Sequence, residues 1–175
     1  ADGGDDVVFE VRAATIAHQP GDVCLLGGMV EEGESPRDAA LRELQEELLL
    51  NEDQICYLGD MDKLYTGSRL IMYSFAAEVT EYQNTFSPAE VDEVFQVPLE
   101  FFLHTEPKCY VTRAKVEPGE DFPYELICGG RDYNWRSRKE EVCFYQYEGH
   151  VIWGLTAKMM RAFTEVVRSC HEGEK

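Results

Sequence analysis

Apolar positions along the chain fall into short runs and spaced stripes that predict strands interleaved with helices. Val7 to Val11 is a β-branched and aromatic run after the acidic, glycine-containing stretch Ala1 to Asp6, the mark of a strand entered from a loop. Val23 to Leu26 predicts a second strand, stopped by Gly27 and Gly28. Ser35 and Pro36 then open a helix. Ser35 offers an N-cap oxygen, Pro36 suits the first helical position, and Asp38 stands at capping-box spacing near the positive end of the helix dipole. The helix is expected to reach Leu50 and to stop at Asn51. Leu70 to Val79 and Glu141 to Tyr147 alternate as strands do, whereas Val91 to Phe102 is mixed, with Pro98 barring one continuous helix. Leu155, Met159, Ala162, Phe163 and Val166 recur at helical spacing, so a last helix is expected from Leu155 to Val167 with that stripe in the core. Strands and helices in single file without a repeat predict an α/β fold, one mixed sheet between helical layers.

Composition sets limits on this picture. The 175 residues fit a single domain spanning 1–175, and a 44% apolar, 11% aromatic content describes a folded chain rather than a disordered one. Thirty-four acids against sixteen bases, net −18, exclude a general nucleic-acid coat, because such binding needs clustered Lys and Arg. Any phosphate must therefore be met by a local basic patch or by bound cations. No apolar run of membrane-spanning length and no secretion leader is present, so a chain off the membrane and inside the cell is expected, with mitochondrion, peroxisome and cytosol left open. Six scattered cysteines without a CxxC pair argue against zinc and for reduced thiols. The chain opens at Ala1 without a methionine, so a targeting segment or a first strand is expected to have been removed ahead of it.

The chemistry concentrates between Gly28 and Leu50. At about 3.6 residues per turn, Glu43, Glu46 and Glu47 share one helix face while Ala40, Leu41, Leu44 and Leu48 share another. The helix is thus expected to pack on the sheet and aim three carboxylates into a cleft. Taken alone, the triplet fits either a solvated acidic face or a cage for a hard cation such as Mg²⁺, which prefers carboxylate oxygens.

The flanking residues separate these readings. Gly28, Glu34, Arg42, Glu43, Leu44, Glu46, Glu47 and Leu50 stand in the register of the Nudix hydrolase signature, and the chain resembles that superfamily. The family's second glycine is here Leu49, which is expected to stay helical and to pass the turn to Asn51. The resemblance extends to the coenzyme A pyrophosphatase-like branch through Arg12-Ala13, Gly21 and Gly27-Gly28 upstream, and through Glu90 to Leu99 and Ile152 to Ala157 downstream. Ala17 replaces that branch's second arginine, and Leu25-Leu26 replace its Phe-Pro, so the chain is a divergent member in the part associated with coenzyme A.

The resemblance implies a Nudix-type α/β/α sandwich and hydrolysis of a nucleoside diphosphate linked to another group, coenzyme A-like in this branch. It implies that Glu43, Glu46 and Glu47, with the Gly28 carbonyl, hold Mg²⁺ or Mn²⁺, that Arg42 orients the carboxylates, and that Glu34 partners Arg42. The general base is open among the helix glutamates, Glu90 and Glu93. Arg12 and Arg69 are candidate phosphate contacts, each equally an ordinary surface arginine. Arg131 to Lys139 is the one basic, aromatic-interleaved stretch, either a solvated hairpin or a platform on which Trp135 or Tyr133 stacks a base and Arg136 or Arg138 meets a phosphate. None of the four histidines has ligand spacing. The alternative activity is removal of pyrophosphate from RNA 5′ ends. A third possibility is a nucleotide-binding subunit of an RNA-processing complex, mitochondrial for example. RNA would require a basic partner protein, whereas a nucleotide-type small molecule would not. Oligomeric state is not legible.

Overall fold

The computed structural model describes residues 5–66 and 70–173. In chain order its elements are β1 (Asp6–Arg12), β2 (Val23–Cys24), α1 (Pro36–Leu48), β3 (Ile55–Asp60), β4 (Leu64–Tyr65), β5 (Ile71–Met72), β6 (Phe75–Val79), β7 (Val91–Pro98), α2 (Leu99–His104), β8 (Lys108–Ala114), β9 (Arg138–Tyr147), β10 (His150–Trp153) and α3 (Gly154–Gly173). The α/β class expected from the patterning is the one found. Among the described residues every strand pair is antiparallel where one mixed sheet was expected: β2-β1-β7, β10-β9-β8, β3-β6 and β4-β5. β10 lies against β2, and Thr156 Oγ1, at the start of α3, donates to the Val23 carbonyl beside it.

The core forms where one face of β1 meets β9, β10 and α3. Phe9, Val97, Phe102 and Ile152 are fully enclosed, joined by Tyr145, Ala157 and Met160. Phe9 stacks on Phe95 at 5.5 Å between ring centroids and tilts against Phe102 at 5.8 Å, separations typical of favourable ring pairs. Val7, Phe9 and Val11 pair in register with Val97, Phe95 and Glu93, so β1 sends its odd-numbered side chains to this core.

Four expectations need correction here. The Val23 strand ends at Cys24, because the chain turns toward Gly27, whose φ of 142° is a conformation in which side-chain-bearing residues are strained. The Leu70 to Val79 strand divides into β5 and β6, each pairing with a different partner. The last helix starts one residue earlier than expected and buries Ala157, Met160 and Thr164, leaving Leu155 and Val166 exposed, so the apolar stripe is rotated from the one the periodicity marked. Cys109 and Cys143 form a disulfide where reduced thiols were expected; they face each other across β8 and β9 although 34 residues apart in sequence, a pairing no local spacing reports. Among the described residues no helix is long and apolar enough to cross a membrane.

Candidate metal centre

Helix α1 begins as its capping residues dictate. Ser35 Oγ accepts the Asp38 N–H at 3.2 Å and donates to the Asp38 carboxylate at 2.7 Å, with Pro36 in the first turn. The helix ends at Leu48, two residues short of the expected stop. Leu49 takes the left-handed conformation, φ 56° and ψ 45°, and its N–H donates to the Gln45 carbonyl. Leucine thus adopts the glycine-like cap that it was expected to avoid, at a cost of about 1–2 kcal/mol in Cβ crowding. That termination lets the chain turn back, with Leu50 buried behind it.

The carboxylates of Glu43, Glu47 and Glu90 converge, with one oxygen of each lying within 4.8 Å of the others. Glu47 is the deepest at 2% exposure, Glu43 is half-buried, and Glu90 is open to solvent, so the cluster runs from floor to rim. Contacts with the backbone place all three. The Gly27 N–H donates to Glu47 Oε2 at 2.8 Å, bringing the loop after β2 onto α1. Gly28 lies so close to the Glu43 carboxylate that any Cβ there would overlap it. Ser87 N–H donates to the Glu47 carbonyl at 2.8 Å and Thr85 Oγ1 to the Leu48 carbonyl at 2.6 Å, which docks the segment carrying Glu90 on the end of α1. The Ala13 N–H on the Glu90 carbonyl, also 2.8 Å, completes the frame.

Arg42 organises the other side. It bonds Glu34 at 3.0 Å, Glu43 at 2.9 Å, Glu46 at 3.1 Å and the Met29 carbonyl at 3.2 Å, tying the loop before α1 to the helix. Arg42 holds the Glu34 carboxyl below its usual range, helped by the Glu31 N–H. Glu46 lies on the solvent side, its side chain 57% exposed and paired with Arg42, so the structure does not gather it with Glu43 and Glu47 as the helix-face expectation required. The reason is the i,i+4 spacing from Arg42, which turns Glu46 outward, while Glu90 fills the inward position from another element.

A further acid occupies the floor. Glu10, 1% exposed, projects from the opposite face of β1 to Phe9, across from Cys24 and Val94. Its Oε1 accepts the Cys24 thiol at 3.1 Å and lies 3.7 Å from Arg12, while Oε2 is buried without a partner among the described residues. Burial pushes the Glu10 carboxyl up, the Cys24 thiol and Arg12 oppose this, and the charges of Glu90 and Glu43 add to it. Burial also pushes Glu47 up to about 8, reinforced by the charge of Glu10, opposed by the Gly27 N–H and reinforced again by Glu43 and Glu90. Burial raises the Cys24 thiol well above its usual range. Sequence reading missed Glu10 because one acid within Val7 to Val11 reads as the outward member of an alternating strand; the signal was its apolar flank on both sides.

The remaining sequence-marked residues lie in different surroundings. Arg12 sits at the cluster's edge, with Nε donating to the His18 carbonyl at 3.3 Å. Glu93 points to the other face of β7 and meets His150 at 3.2 Å. Trp135 packs edge-on against Phe122 and Tyr133 in the excursion between β8 and β9, and Arg136 is exposed beside it. Arg69 falls outside the described residues.

Oxygen donors in this number, with one buried carboxylate oxygen lacking any donor, fit a hard divalent cation. Fold and cluster together define an α/β protein with a carboxylate cleft between a glycine loop and a helix. The NUDIX domain family model matches residues 2–118, more than half of the chain, and the chain belongs to this family, the Nudix hydrolases. It is 26% identical over 163 residues to the uncharacterized Nudix hydrolase NudL of Photorhabdus laumondii, covering 90% of this chain and 74% of that protein. It is 34% identical over 125 residues to the mouse peroxisomal coenzyme A diphosphatase NUDT7, covering 66% of this chain and 49% of that protein. Among solved structures, the M. smegmatis Nudix hydrolase RenU is 22% identical with a TM-score of 0.47, covering 57% of this chain and 63% of that one. Residues 119–173 lie beyond the family match, yet β9, β10 and α3 supply part of the core that β1 closes.

Proposed function

We propose that this chain hydrolyses the diphosphate linkage of a nucleoside diphosphate derivative with Mg²⁺ or Mn²⁺, and that coenzyme A or one of its esters is the derivative. The observation that carries this reading is Glu47, a carboxylate closed off from water among Glu10, Glu43 and Glu90, with the Gly27 N–H its one hydrogen-bond donor among the described residues. Uncompensated acids in such a place cost several kcal/mol, which a bound cation offsets. Glu43, Glu47 and Glu90 would hold the ion, with the Gly28 backbone beside Glu43. A divalent ion there supplies charge neutralisation for the diphosphate and lowers the pKa of a bound water.

The chain's own groups divide the remaining work. Arg42 fixes the rotamer of Glu43 and anchors the 29–34 loop, with Glu46 as its outer ligand. Arg12, partly open at the cluster's edge, would meet a phosphate oxygen. Glu90, the exposed acid of the converging three, would accept a proton from an attacking water. The substrate class is supported by the likeness to the mouse coenzyme A diphosphatase.

The test is a substrate panel with Mn²⁺ or Mg²⁺: coenzyme A, acetyl-coenzyme A, NADH, a dinucleoside polyphosphate, free NTPs and 5′-triphosphorylated RNA. Phosphopantetheine with adenosine 3′,5′-bisphosphate is the expected product pair from coenzyme A. Turnover of another member alone would overturn the coenzyme A assignment, and no turnover of any member would overturn the hydrolase reading of this site.

A further inference from the structure

Glu10 lies outside the Nudix signature, on a strand rather than on the signature helix, and nothing in the core needs an acid at its position. Its two oxygens are treated very differently. Oε1 takes the Cys24 thiol and the edge of Arg12, whereas Oε2, closed to solvent, has no donor among the described residues. A weak thiol donor and a guanidinium 3.7 Å away do not match what a buried carboxylate forgoes by leaving water. The side chain cannot reach the aromatic core, because Phe9 and Val11 occupy that face of β1. It faces the cleft instead, where Glu43 and Glu90 are its acidic neighbours and where Glu47 feels its charge.

We propose that Glu10 is a further cation ligand, its free oxygen joining Glu47 to bind a divalent ion at the buried floor of the cleft, while Glu43 and Glu90 serve the rim. This rests on the reading of the cleft as a cation centre. Strand β1 then contributes to the site as directly as α1 does, and Cys24 and Arg12 act as positioning residues that orient Glu10 through its other oxygen. The chemistry favours a hard ion, since the ligands offered by Glu10, Glu43, Glu47 and Glu90 are carboxylate oxygens and the Cys24 sulfur is engaged as a donor to Glu10.

The experiment is Mn²⁺ titration of the purified chain without substrate, followed by calorimetry and by the loss of the free-ion electron paramagnetic resonance signal. Wild type is compared with Glu10→Gln, Glu10→Asp and Glu47→Gln. Glu10→Gln is expected to abolish the tightest class of Mn²⁺ sites or weaken it by about 10–100-fold, and to remove most of the Mn²⁺-induced rise in melting temperature. Glu10→Asp keeps the charge but draws the oxygens back by one methylene, and is expected to weaken the same class by about tenfold; it reports on the proposal even if the glutamine variant does not fold. Unaltered Mn²⁺ stoichiometry and affinity in a folded Glu10 variant would overturn the role of Glu10 while Glu47→Gln still loses binding. Absence of Mn²⁺ binding by the wild-type chain would instead overturn the cation centre itself.

Discussion

On one side of β1, Phe9 is enclosed by Phe95 and Phe102; one residue along and on the other side, Glu10 is enclosed by Cys24, Arg12 and the acids of the cleft. Both side chains are shut away from water to the same degree. The first face gains free energy from that enclosure, because apolar surface leaves water and rings pair at favourable distances. The second loses it, because carboxyl oxygens leave water for acidic neighbours and are held neutral or ionised at a cost. A strand with one stabilising and one costly face is held by its core and equipped by its cleft, so substitutions on the two sides are expected to separate stability from activity.

The largest effect expected is on the core side. Phe9→Ala removes an enclosed ring and should cost about 3–5 kcal/mol, read as a drop in the thermal midpoint of roughly 2–4 °C per kcal/mol. The matching cleft substitution, Glu47→Gln, should lower kcat/KM by about 10²–10³-fold, equivalent to roughly 3–4 kcal/mol of transition-state stabilisation, while the metal-free melting temperature is unchanged or higher. Equal losses of stability from both variants would erase the contrast between the faces.

A pH series sharpens it further. Glu47 is pushed up to about 8 from an ordinary 4.5, so the folded metal-free chain holds that proton more tightly than the unfolded one. The stability contributed is complete below about 4.5 and is lost as pH rises through about 8. The metal-free melting temperature should therefore fall by several degrees across this window, and saturating Mn²⁺ should flatten the slope; a flat metal-free profile would contradict the burial of Glu47 as an ionisable group. The smallest effect is expected at the helix end, where Leu49→Gly should raise stability by about 0.5–1 kcal/mol, since relief of left-handed strain outweighs the added freedom of glycine in the unfolded chain.

Legibility followed how local each determinant is. The start of α1 was readable because Ser35, Pro36 and Asp38 act within one turn, and the register from Gly28 to Glu47 marked where the chemistry lies. The end of α1 was misread because local propensity disfavours a left-handed leucine, while tertiary packing of Leu48 and Leu50 on either side imposes it. Helical spacing placed Glu46 with Glu43 and Glu47, but a salt bridge to Arg42 turned it outward. Glu90 was one of several acids in its segment, and only hydrogen bonds spanning dozens of residues, from Ser87 and Thr85 to α1, bring it to the cluster. The pairing of Cys109 with Cys143 likewise depends on strand register.

Those two bonds from Ser87 and Thr85 are made to main-chain carbonyls, and so do not depend on which side chains α1 carries. The helix end and the 85–90 segment are thereby joined through the main chain of α1, which sets where the backbones of Glu47 and Glu90 stand relative to one another. Lengthening the connection just before Thr85 should be tolerated, whereas a single inserted residue between Ser87 and Glu90 should throw the outer acid out of alignment and leave the fold standing.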